Sequence, residues 1–382
     1  MIIVTVLVIA FVVLFPDFYI YSTFLNQCSL AVRLLWWLPL AFMICLILSQ
    51  AFGIGYSFPL RAFFLMLTCV VLPKFLFAVV SALGKLLGAF SPTAFTVGNV
   101  VAALVAVLSL GCFLYGAVWG WKRISLTDKT IAFEQLPPSF DGYKIVQLSD
   151  LHVGTYGTDA AYFKKMVDMV NAQQPDLVVF TGDIVNSDPK ELDPFMHVFS
   201  ELRAKDGVLS VIGNHDYCTY AVGTKPADHV RMLQDIIDRE TGFGWKVLLN
   251  ENRIIKRGND SIAIVGVENV GRPPFPSKGD LKKAQEGLND GVFKVLLSHD
   301  PTHWRRETLP DTEIPLQLSG HTHAMQFKVF GWSPSSLTYT EWGGLYESDG
   351  QKLFISTGGG GNVPFRFGAW PEVAVLTLKC AQ

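Results

Sequence analysis

Hydrophobic positions follow one another almost without interruption through the first 120 residues of the chain. Four apolar segments stand out in this part, and each approaches or exceeds the roughly 20 residues with which an α-helix crosses a bilayer. They cover residues 2–24, 31–51, 59–84 and 95–119. The loops that join them are short. The pattern therefore predicts a compact region of about four transmembrane helices over residues 1–121.

Short apolar runs alternate with amphipathic stretches after residue 121. Apolar runs of about four to eight residues between turn signals are typical of buried strands. Runs of this kind cover residues 144–149, 177–180, 207–212, 246–249, 253–256, 261–267, 291–297, 314–318, 352–356 and 373–378. Helical spacing of apolar residues covers 159–174, 192–205 and 226–239.

This alternation favours an α/β domain that is built in layers. The apparent strand pair within residues 246–256 and the strand-rich end suggest antiparallel additions. We therefore expect two mixed sheets that pack as a sandwich over residues 143–382. The stretch 136–142 is rich in turn-forming residues, so residues 122–142 are predicted to be a linker that leads into this domain.

Composition supports the division of the chain. Half of the residues are hydrophobic, and the mean hydropathy of +0.33 is high for a purely soluble enzyme. Residues 1–120 carry four cations and one anion, a net +3, which leaves −5 of the total charge of −2 for the rest. A mildly acidic polar part argues against a nucleic-acid partner, which normally binds a basic surface. The six cysteines include no Cys-x-x-Cys pair, so neither a zinc knuckle nor a disulfide framework is indicated.

Lys74 lies beside Pro73 within the third apolar segment and allows two interpretations. It is either an intramembrane cation that marks a lipid headgroup site or a pathway, or a cation that snorkels from a kinked helix towards the interface. The second interpretation is preferred.

The distribution of cations around the apolar segments bears on the side of the membrane. An even number of crossings places the amino terminus and the polar part on the same side. The stretch 122–129 holds three cations, and Arg61 would share their side, whereas Arg33 and Lys85 lie opposite. The positive-inside rule therefore favours a cytoplasmic polar part.

Clusters of Asp, Asn and His follow five of the predicted strands. The reactive residues are Asp150, His152, Asp183, Asn214, His215, Asp216, His299, His321 and His323. Ligands bind at the carboxyl ends of strands in α/β sheets, so we expect these side chains to converge. Imidazole, carboxylate and amide-oxygen donors together suit Mn, Fe, Zn or Ni better than Ca. With His215 and Asp216 set aside, the remaining seven donors are too many for one tetrahedral ion and suit two ions that share a carboxylate.

The motifs that carry these residues occur in one order. They are Asp150-x-His152, Gly182-Asp183, Gly213-Asn214-His215-Asp216, His299 and Gly320-His321-x-His323. This set resembles the calcineurin-like metallophosphoesterases over about residues 143–380. It is most similar to their bacterial branch of membrane-associated phosphodiesterases, whose closing stretch resembles the segments 344–347, 356–358 and 364–366.

The resemblance implies a four-layer α-β-β-α sandwich and two divalent transition-metal ions, with Mn favoured. It assigns Asp150, His152, Asp183 and His323 to one ion, and Asp183, Asn214, His299 and His321 to the other. Two such ions hold phosphate oxygens and lower the pKa of a bridging water that attacks phosphorus. The implied role of His215 is to donate a proton to the leaving group, oriented by Asp216.

Two departures from the motifs of the resembled family bear on the expected activity. The last motif usually continues with two glycines and a glutamine, whereas this chain has Ala324-Met325-Gln326, which puts the shape of the substrate in doubt. Protein serine/threonine phosphatases carry Gly-Asp-x-Val-Asp-Arg-Gly, whereas this chain continues from Asp183 with Ile-Val-Asn186, which disfavours that activity.

We therefore expect a membrane-anchored, dinuclear metal-dependent phosphoesterase, multi-pass in the cell membrane with its catalytic domain in the cytoplasm. It would hydrolyse phosphomonoester, phosphodiester or pyrophosphate bonds, either of a lipid or nucleotide-linked lipid or of soluble substrates. The alternative is a non-catalytic membrane scaffold or sensor, which the loss of a ligand would favour; none is lost. Transport through the helices is a further alternative that rests on Lys74 alone.

Overall fold

The computed structural model describes residues 2–51 and 57–381. The chain divides into two compact units, Met1–Trp119 and Gly120–Gln382.

The first unit is entirely helical in its described part. Its helices are α1 (Ile2–Ile20), α2 (Leu30–Trp36), α3 (Leu38–Ala51), α4 (Ser57–Met66), α5 (Leu72–Leu87) and α6 (Pro92–Val118). Three stretches are long and apolar enough to cross a membrane, Leu30–Ser49, Arg61–Leu87 and Pro92–Lys122, and Ala10–Leu25 is a shorter apolar helix. The four predicted segments thus correspond to helices, three of them of full spanning length.

Small residues allow α5 and α6 to approach closely. A Cβ atom on Gly84 would lie 2.8 Å from the Cα of Gly98, and one on Gly98 would lie 2.6 Å from the Cα of Gly84. Close backbone contact through glycine is typical of helix pairs in membranes. Beside this contact, Ser81 donates a hydrogen bond of 2.5 Å to Asn99.

Lys74 has an anionic partner within the helical unit, and its snorkelling towards the interface stays a prediction. Its ammonium group forms an ion pair with Asp17 of α1, whose side chain is buried. Lys74 also lies 5.0 Å from the ring centroid of Trp36, and the indole of Trp36 donates to the backbone oxygen of Asp17. A buried cation is stabilised by an adjacent anion, so the pair connects α1 to α5.

We expect Asp17→Asn to destabilise the helical unit by about 3–5 kcal/mol, because it leaves the Lys74 charge without a partner. The double variant Asp17→Asn with Lys74→Met should recover most of this loss. Thermal unfolding of the detergent-solubilised protein measures both effects. Equal stability of the single variant and the wild type would show that the ion pair does not hold α1 to α5.

Two six-stranded sheets form the second unit. Its strands are β1 (Ser125–Phe133), β2 (Lys144–Leu148), β3 (Leu177–Phe180), β4 (Val208–Ser210), β5 (Lys246–Val247), β6 (Glu251–Arg257), β7 (Asp260–Gly266), β8 (Phe293–Leu297), β9 (Leu316–Ser319), β10 (Gly344–Ser348), β11 (Gln351–Ile355) and β12 (Glu372–Cys380). The orders are β1-β12-β2-β3-β4-β5 and β10-β11-β9-β8-β7-β6. Both sheets mix parallel and antiparallel pairs, as predicted.

Helices cover the outer faces of both sheets. They are α7 (Ala160–Ala172), α8 (Met196–Phe199), α9 (Pro226–Gly242), α10 (Leu281–Ala284) and α11 (Leu309–Asp311). Alternation along the strands builds the layers: Ile145 belongs to the core between the sheets, and Val146 belongs to the core under α7 and α8. Leu281 of α10 packs with Leu296 on the far face of the second sheet. The predicted four-layer α-β-β-α sandwich is confirmed.

Two details of the expected organisation are wrong. Residues 125–133, predicted to be part of a linker, form β1 and pair in parallel with β12. Residues 246–249 do not form a hairpin with 253–256, because β5 pairs with β4 in the first sheet while β6 pairs with β7 in the second. The chain therefore crosses from one sheet to the other at residues 248–250.

Candidate metal centre

The five predicted clusters meet where strands of both sheets end. Asp150 follows β2, Asp183 follows β3 and Asn214 follows β4 in the first sheet. His299 follows β8 and His321 follows β9 in the second sheet. The two sheets therefore deliver donors to one buried centre from opposite sides.

The backbone of these loops is bent in an unusual way. Five of the nine reactive residues have a positive φ: Asp150, His152, Asp183, His321 and His323, with φ between 44° and 72°. Such residues cost free energy, on the order of 1–3 kcal/mol each, and they concentrate at functional sites. The bend turns each side chain inward directly after its strand.

Glycine is required where two loops touch. A Cβ atom on Gly213 would lie 2.2 Å from Oδ1 of Asp183, and one on Gly320 would lie 2.2 Å from Oδ2 of Asp150. The glycines of the Gly-Asn-His-Asp and Gly-His-Thr-His motifs therefore allow the carboxylates to approach the neighbouring backbone.

One group of donors consists of Asp150, His152 and His323. Nε2 of His323 lies 3.3 Å from Oδ1 of Asp150 and 3.1 Å from Nε2 of His152. The Nδ1–H of His152 donates to the backbone oxygen of Val185, so its Nε2 lone pair faces the centre. All three side chains are buried.

The second group consists of Asp183, His299 and His321. Nε2 of His299 lies 3.0 Å from Oδ2 of Asp183 and 3.2 Å from Nδ1 of His321. The Nδ1–H of His299 donates to the backbone oxygen of Thr181, which leaves its Nε2 for the centre. Nε2 of His321 lies 3.0 Å from the hydroxyl of Tyr339, which orients the ring.

Asp183 lies between the two groups. The same oxygen, Oδ2, is 3.0 Å from Nε2 of His299 and 3.7 Å from Nε2 of His152. Its other oxygen, Oδ1, accepts the backbone N–H of His215 at 2.7 Å. One carboxylate oxygen therefore faces both groups.

Burial keeps most of these imidazoles neutral. It lowers the pKa of His152 well below its ordinary value, an effect to which His215 adds. Burial and the nearby His152 likewise lower the pKa of His323, and burial lowers the pKa of His321 to about 4. Neutral imidazoles are the form that binds a metal ion.

His299 differs from the other three imidazoles. Burial by itself would lower its pKa, but the Asp183 carboxylate 3.0 Å away raises the pKa to about 10. Burial would raise the pKa of Asp183, but His299 and His215 hold it well below its usual range. In the absence of a cation, His299 therefore holds a proton at pH 7.

We expect the binding of a divalent ion at pH 7 to release at least one proton, because the ion must displace the proton of His299. His299 loses this proton only above its pKa of about 10, so metal affinity should rise about tenfold per pH unit between pH 7 and 9. Titration calorimetry in buffers of different ionisation enthalpy measures the release. Heats that do not depend on the buffer would contradict it.

The donor set fits divalent metal ions. Oδ1 of Asn214 is buried and has no hydrogen-bond partner among the described residues, while its Nδ2 donates to Tyr220. A buried amide oxygen without a partner is costly unless it binds a cation or an unseen water. Carboxylates, imidazoles and an amide oxygen that point at one another are typical transition-metal ligands.

His215 is held by a residue that the sequence did not indicate. Its Nδ1–H donates to the backbone oxygen of Asn186 at 2.7 Å, and its Nε2 lies 3.4 Å from Nδ2 of Asn362 at the cavity. The expectation that Asp216 orients His215 is wrong. The carboxylate of Asp216 instead accepts backbone N–H groups of Asp183, Ile184 and Gly213 at 2.8–2.9 Å. Asp216 therefore joins the two loops, and the carbonyl of Asn186 orients His215.

The centre opens into a cavity of about 310 Å³. Its walls include residues that sequence reasoning missed: Tyr220, Phe275, Tyr339 and Asn362. The ring of Tyr220 lies 4.4 Å from that of His215, and the ring of Phe275 lies 5.0 Å from that of His321. These residues belong to no local motif. Only the loop of Asn362 is indicated by the sequence, through the glycine run 358–361 that precedes it.

The closing loop is fixed by Arg366, which is fully buried. Its guanidinium donates to the backbone oxygens of Gly360, Ala369 and Thr357, and one nitrogen lies 3.3 Å from Nδ1 of His323. The Pro364–Arg366 motif thus holds the glycine run against the centre.

A larger cavity of about 660 Å³ lies on α9, bordered by Asp188, Asp228 and Asp235. None of the nine reactive residues lines it. Chemistry rather than volume therefore identifies the site.

Comparison with known proteins places this centre in context. The family model for the calcineurin-like phosphoesterases matches residues 143–325. "Uncharacterized metallophosphoesterase YkuE" of Bacillus subtilis is 31% identical over 297 residues, which cover 72% of this chain and 95% of that protein.

Two further relatives are more distant. "Transmembrane protein with metallophosphoesterase domain" of Bos taurus is 29% identical over 286 residues, 73% of this chain and 62% of that protein. "UDP-2,3-diacylglucosamine pyrophosphatase LpxG" of Chlamydia trachomatis is 27% identical over 295 residues, 63% of this chain and 86% of that protein.

Proposed function

This chain belongs to the calcineurin-like metallophosphoesterase family, and from that premise we propose that it hydrolyses phosphoesters at a membrane with two metal ions. The proposal gives one ion Asp150, His152, Asp183 and His323 as ligands. It gives the other ion Asp183, Asn214, His299 and His321.

The observation that carries this proposal is the buried, unpartnered Oδ1 of Asn214 beside two groups of facing imidazoles. An isolated structural histidine would find a hydrogen-bond partner that is not another imidazole. Here Nε2 of His152 meets Nε2 of His323, and Nδ1 of His321 meets Nε2 of His299. Such an arrangement supports two cation sites.

Divalent ions, when bound, supply positive charge for phosphate oxygens and activate a water molecule as the nucleophile. Mn is the ion that we favour. The residues of the chain do the rest. With its Nδ1–H committed to Asn186, His215 directs Nε2 towards the cavity, and its imidazolium form donates the Nε2 proton to the leaving oxygen and becomes a neutral imidazole. Phe275 and Tyr220 border the space above the centre, where the leaving group binds.

A lipid or nucleotide-linked lipid is the substrate class that we favour. The relative from Chlamydia trachomatis is named for a pyrophosphatase activity on UDP-2,3-diacylglucosamine. The apolar helices of this chain and the transmembrane relative from Bos taurus indicate membrane association, which would bring the centre near such substrates.

A substrate comparison tests the lipid preference. Turnover of bis-p-nitrophenyl phosphate by the Mn-loaded full-length protein is compared with turnover of lipid phosphodiesters and lipid pyrophosphates in mixed micelles. We expect kcat/KM for at least one lipid substrate to exceed that for the soluble ester by tenfold or more. Equal values would overturn the lipid preference and leave the phosphoesterase activity standing.

We further propose that the chain crosses the cell membrane several times and that its catalytic domain faces the cytoplasm. The cations of stretch 122–129 support this orientation. Digestion of the carboxyl-terminal unit by protease should occur in inverted membrane vesicles and not in intact cells. The reverse pattern would contradict the orientation.

A further inference from the structure

A loop beside the cavity exposes an unusual amount of apolar surface. Among the described residues of the second unit, nine large hydrophobic side chains are exposed, and four of them lie within residues 325–337. These four are Met325, Phe330, Trp332 and Leu337, and we call residues 325–337 the apolar loop. Concentrated apolar exposure on a folded protein marks a surface that binds a membrane or another protein.

The tip of the apolar loop is built to display its side chain. Val329 and Trp332 exchange two backbone hydrogen bonds of 2.9 and 3.0 Å, which close a tight turn with Phe330 and Gly331 at its end. Phe330 is fully exposed and has a φ of 48°. An aromatic residue at a positive φ is sterically strained. Phe330 adopts this conformation although its ring is not buried. The fold alone therefore gives no reason for Phe330.

The same pattern occurs at the base of the loop. Met325, the first residue of the loop, has a φ of 45°, and the buried Ala324 before it has a φ of 50°. The side chain of Met325 is 44% exposed and also lines the cavity of the metal centre. An apolar side chain thus lies on the path between the cavity and the surface.

The apolar loop is attached firmly to the site. His323 precedes it directly, and Ser333 donates a hydrogen bond of 2.6 Å to the backbone oxygen of Ala324. After the loop, the hydroxyl of Tyr339 lies 3.0 Å from Nε2 of His321. A partner that binds the apolar loop would therefore lie beside the opening of the cavity.

The charge of the segment indicates the kind of partner. Residues 324–340 contain no acidic residue and one cation, Lys328. The next acid, Glu341, is buried and paired with Arg305. Exposed Phe, Trp and Leu beside a lysine are typical of segments that insert into the headgroup region of anionic bilayers. Three stretches of this chain are long and apolar enough to cross a membrane.

We propose that the apolar loop inserts into the surface of the bilayer and holds the opening of the metal centre against the lipid headgroups. Phe330 and Leu337 enter the acyl boundary, Trp332 lies at the headgroup level, and Lys328 contacts lipid phosphates. This inference needs no catalytic turnover, so it stands or falls independently of the substrate preference.

Lipid quenching of a label at the tip tests the proposal. The six native cysteines, all free, are replaced by alanine or serine, and Phe330→Cys is labelled with bimane in the full chain. The protein is reconstituted into vesicles of three parts phosphatidylcholine to one part phosphatidylglycerol, with or without brominated acyl chains. The matched control is Val230→Cys on α9, an exposed apolar position of the same unit that lies outside the loop. Metal content of each variant verifies that the site remains folded.

We expect brominated lipid to reduce the fluorescence of the label at position 330 by at least twofold, and to leave the label at position 230 unchanged. Replacing Trp332 and Leu337 by serine should weaken the quenching at position 330. The proposal is overturned if aqueous iodide quenches both labels alike and brominated lipid quenches neither, or if brominated lipid quenches both labels equally. It is also overturned if the label is shielded from both quenchers and an added oxidant joins two unlabelled Phe330→Cys chains by a disulfide, because the partner is then a second copy.

Discussion

His215→Ala is expected to lower turnover of a phosphodiester by about 10²–10⁴-fold while the protein keeps its metal ions. The Nδ1–H of His215 is committed to the backbone oxygen of Asn186, and its Nε2 faces the cavity, so the imidazolium form of the ring is placed to give its Nε2 proton to the leaving oxygen. The loss should be smaller for substrates with a good leaving group, which needs no proton. Steady-state kinetics on phenyl and p-nitrophenyl esters measures the difference.

The alternative role of His215 is that of a metal ligand, because a ring nitrogen of His215 and the ligand atoms of His152 and Asp183 all lie within 4.8 Å of one another. Loss of a metal ion in His215→Ala would establish that role and contradict proton donation. His197→Ala, at an exposed histidine of α8, controls for the removal of an imidazole. Asn214→Ala, by contrast, should weaken the binding of the second metal ion.

Asp183→Asn is expected to reduce bound metal from two ions to fewer than one and to lower activity by more than about 100-fold. Loss of a residue that only orients a ligand costs 10–100-fold at metal sites, and Asp183 faces both groups of ligands directly. The substitution also removes the negative charge that balances His299 in the buried centre. Elemental analysis of the purified variant measures the metal content.

Asp128→Asn, at an exposed carboxylate of β1, is the matched control and should behave as the wild type. Two ions retained by Asp183→Asn would show that the two groups of donors do not share this carboxylate.

The sequence predicted the positions of the site because each cluster is local. A short apolar run fixes a buried strand, and the glycine that follows allows the bend at its end, so the residues after Gly182, Gly213 and Gly320 were identifiable. The convergence of the clusters then followed from the general geometry of α/β sheets. The sandwich and the helical first unit followed from the same patterns.

Other features depend on residues that are distant in sequence. The strand β1 is half exposed, and it forms because its partner residues in β12 lie 247 positions further along the chain. The ion pair of Asp17 and Lys74 joins helices that are 57 positions apart. The periodicity of apolar residues along the chain does not indicate such long-range pairings.

The direction of side chains within tight turns could not be predicted from the sequence either. His215 and Asp216 are neighbours, yet the structure turns Asp216 towards the amides after Asp183 and leaves His215 to the carbonyl of Asn186. Spacing along the chain does not distinguish these arrangements, because each requires only that the two loops lie side by side.

The central claim is that seven residues on five loops hold two metal ions. Elemental analysis of the full-length protein after loading with Mn²⁺ and removal of free metal tests it most directly. We predict two ions per chain, and about one in Asn214→Ala. A protein that remains folded but holds less than one ion per chain with Mn, Fe, Zn or Ni would contradict the claim.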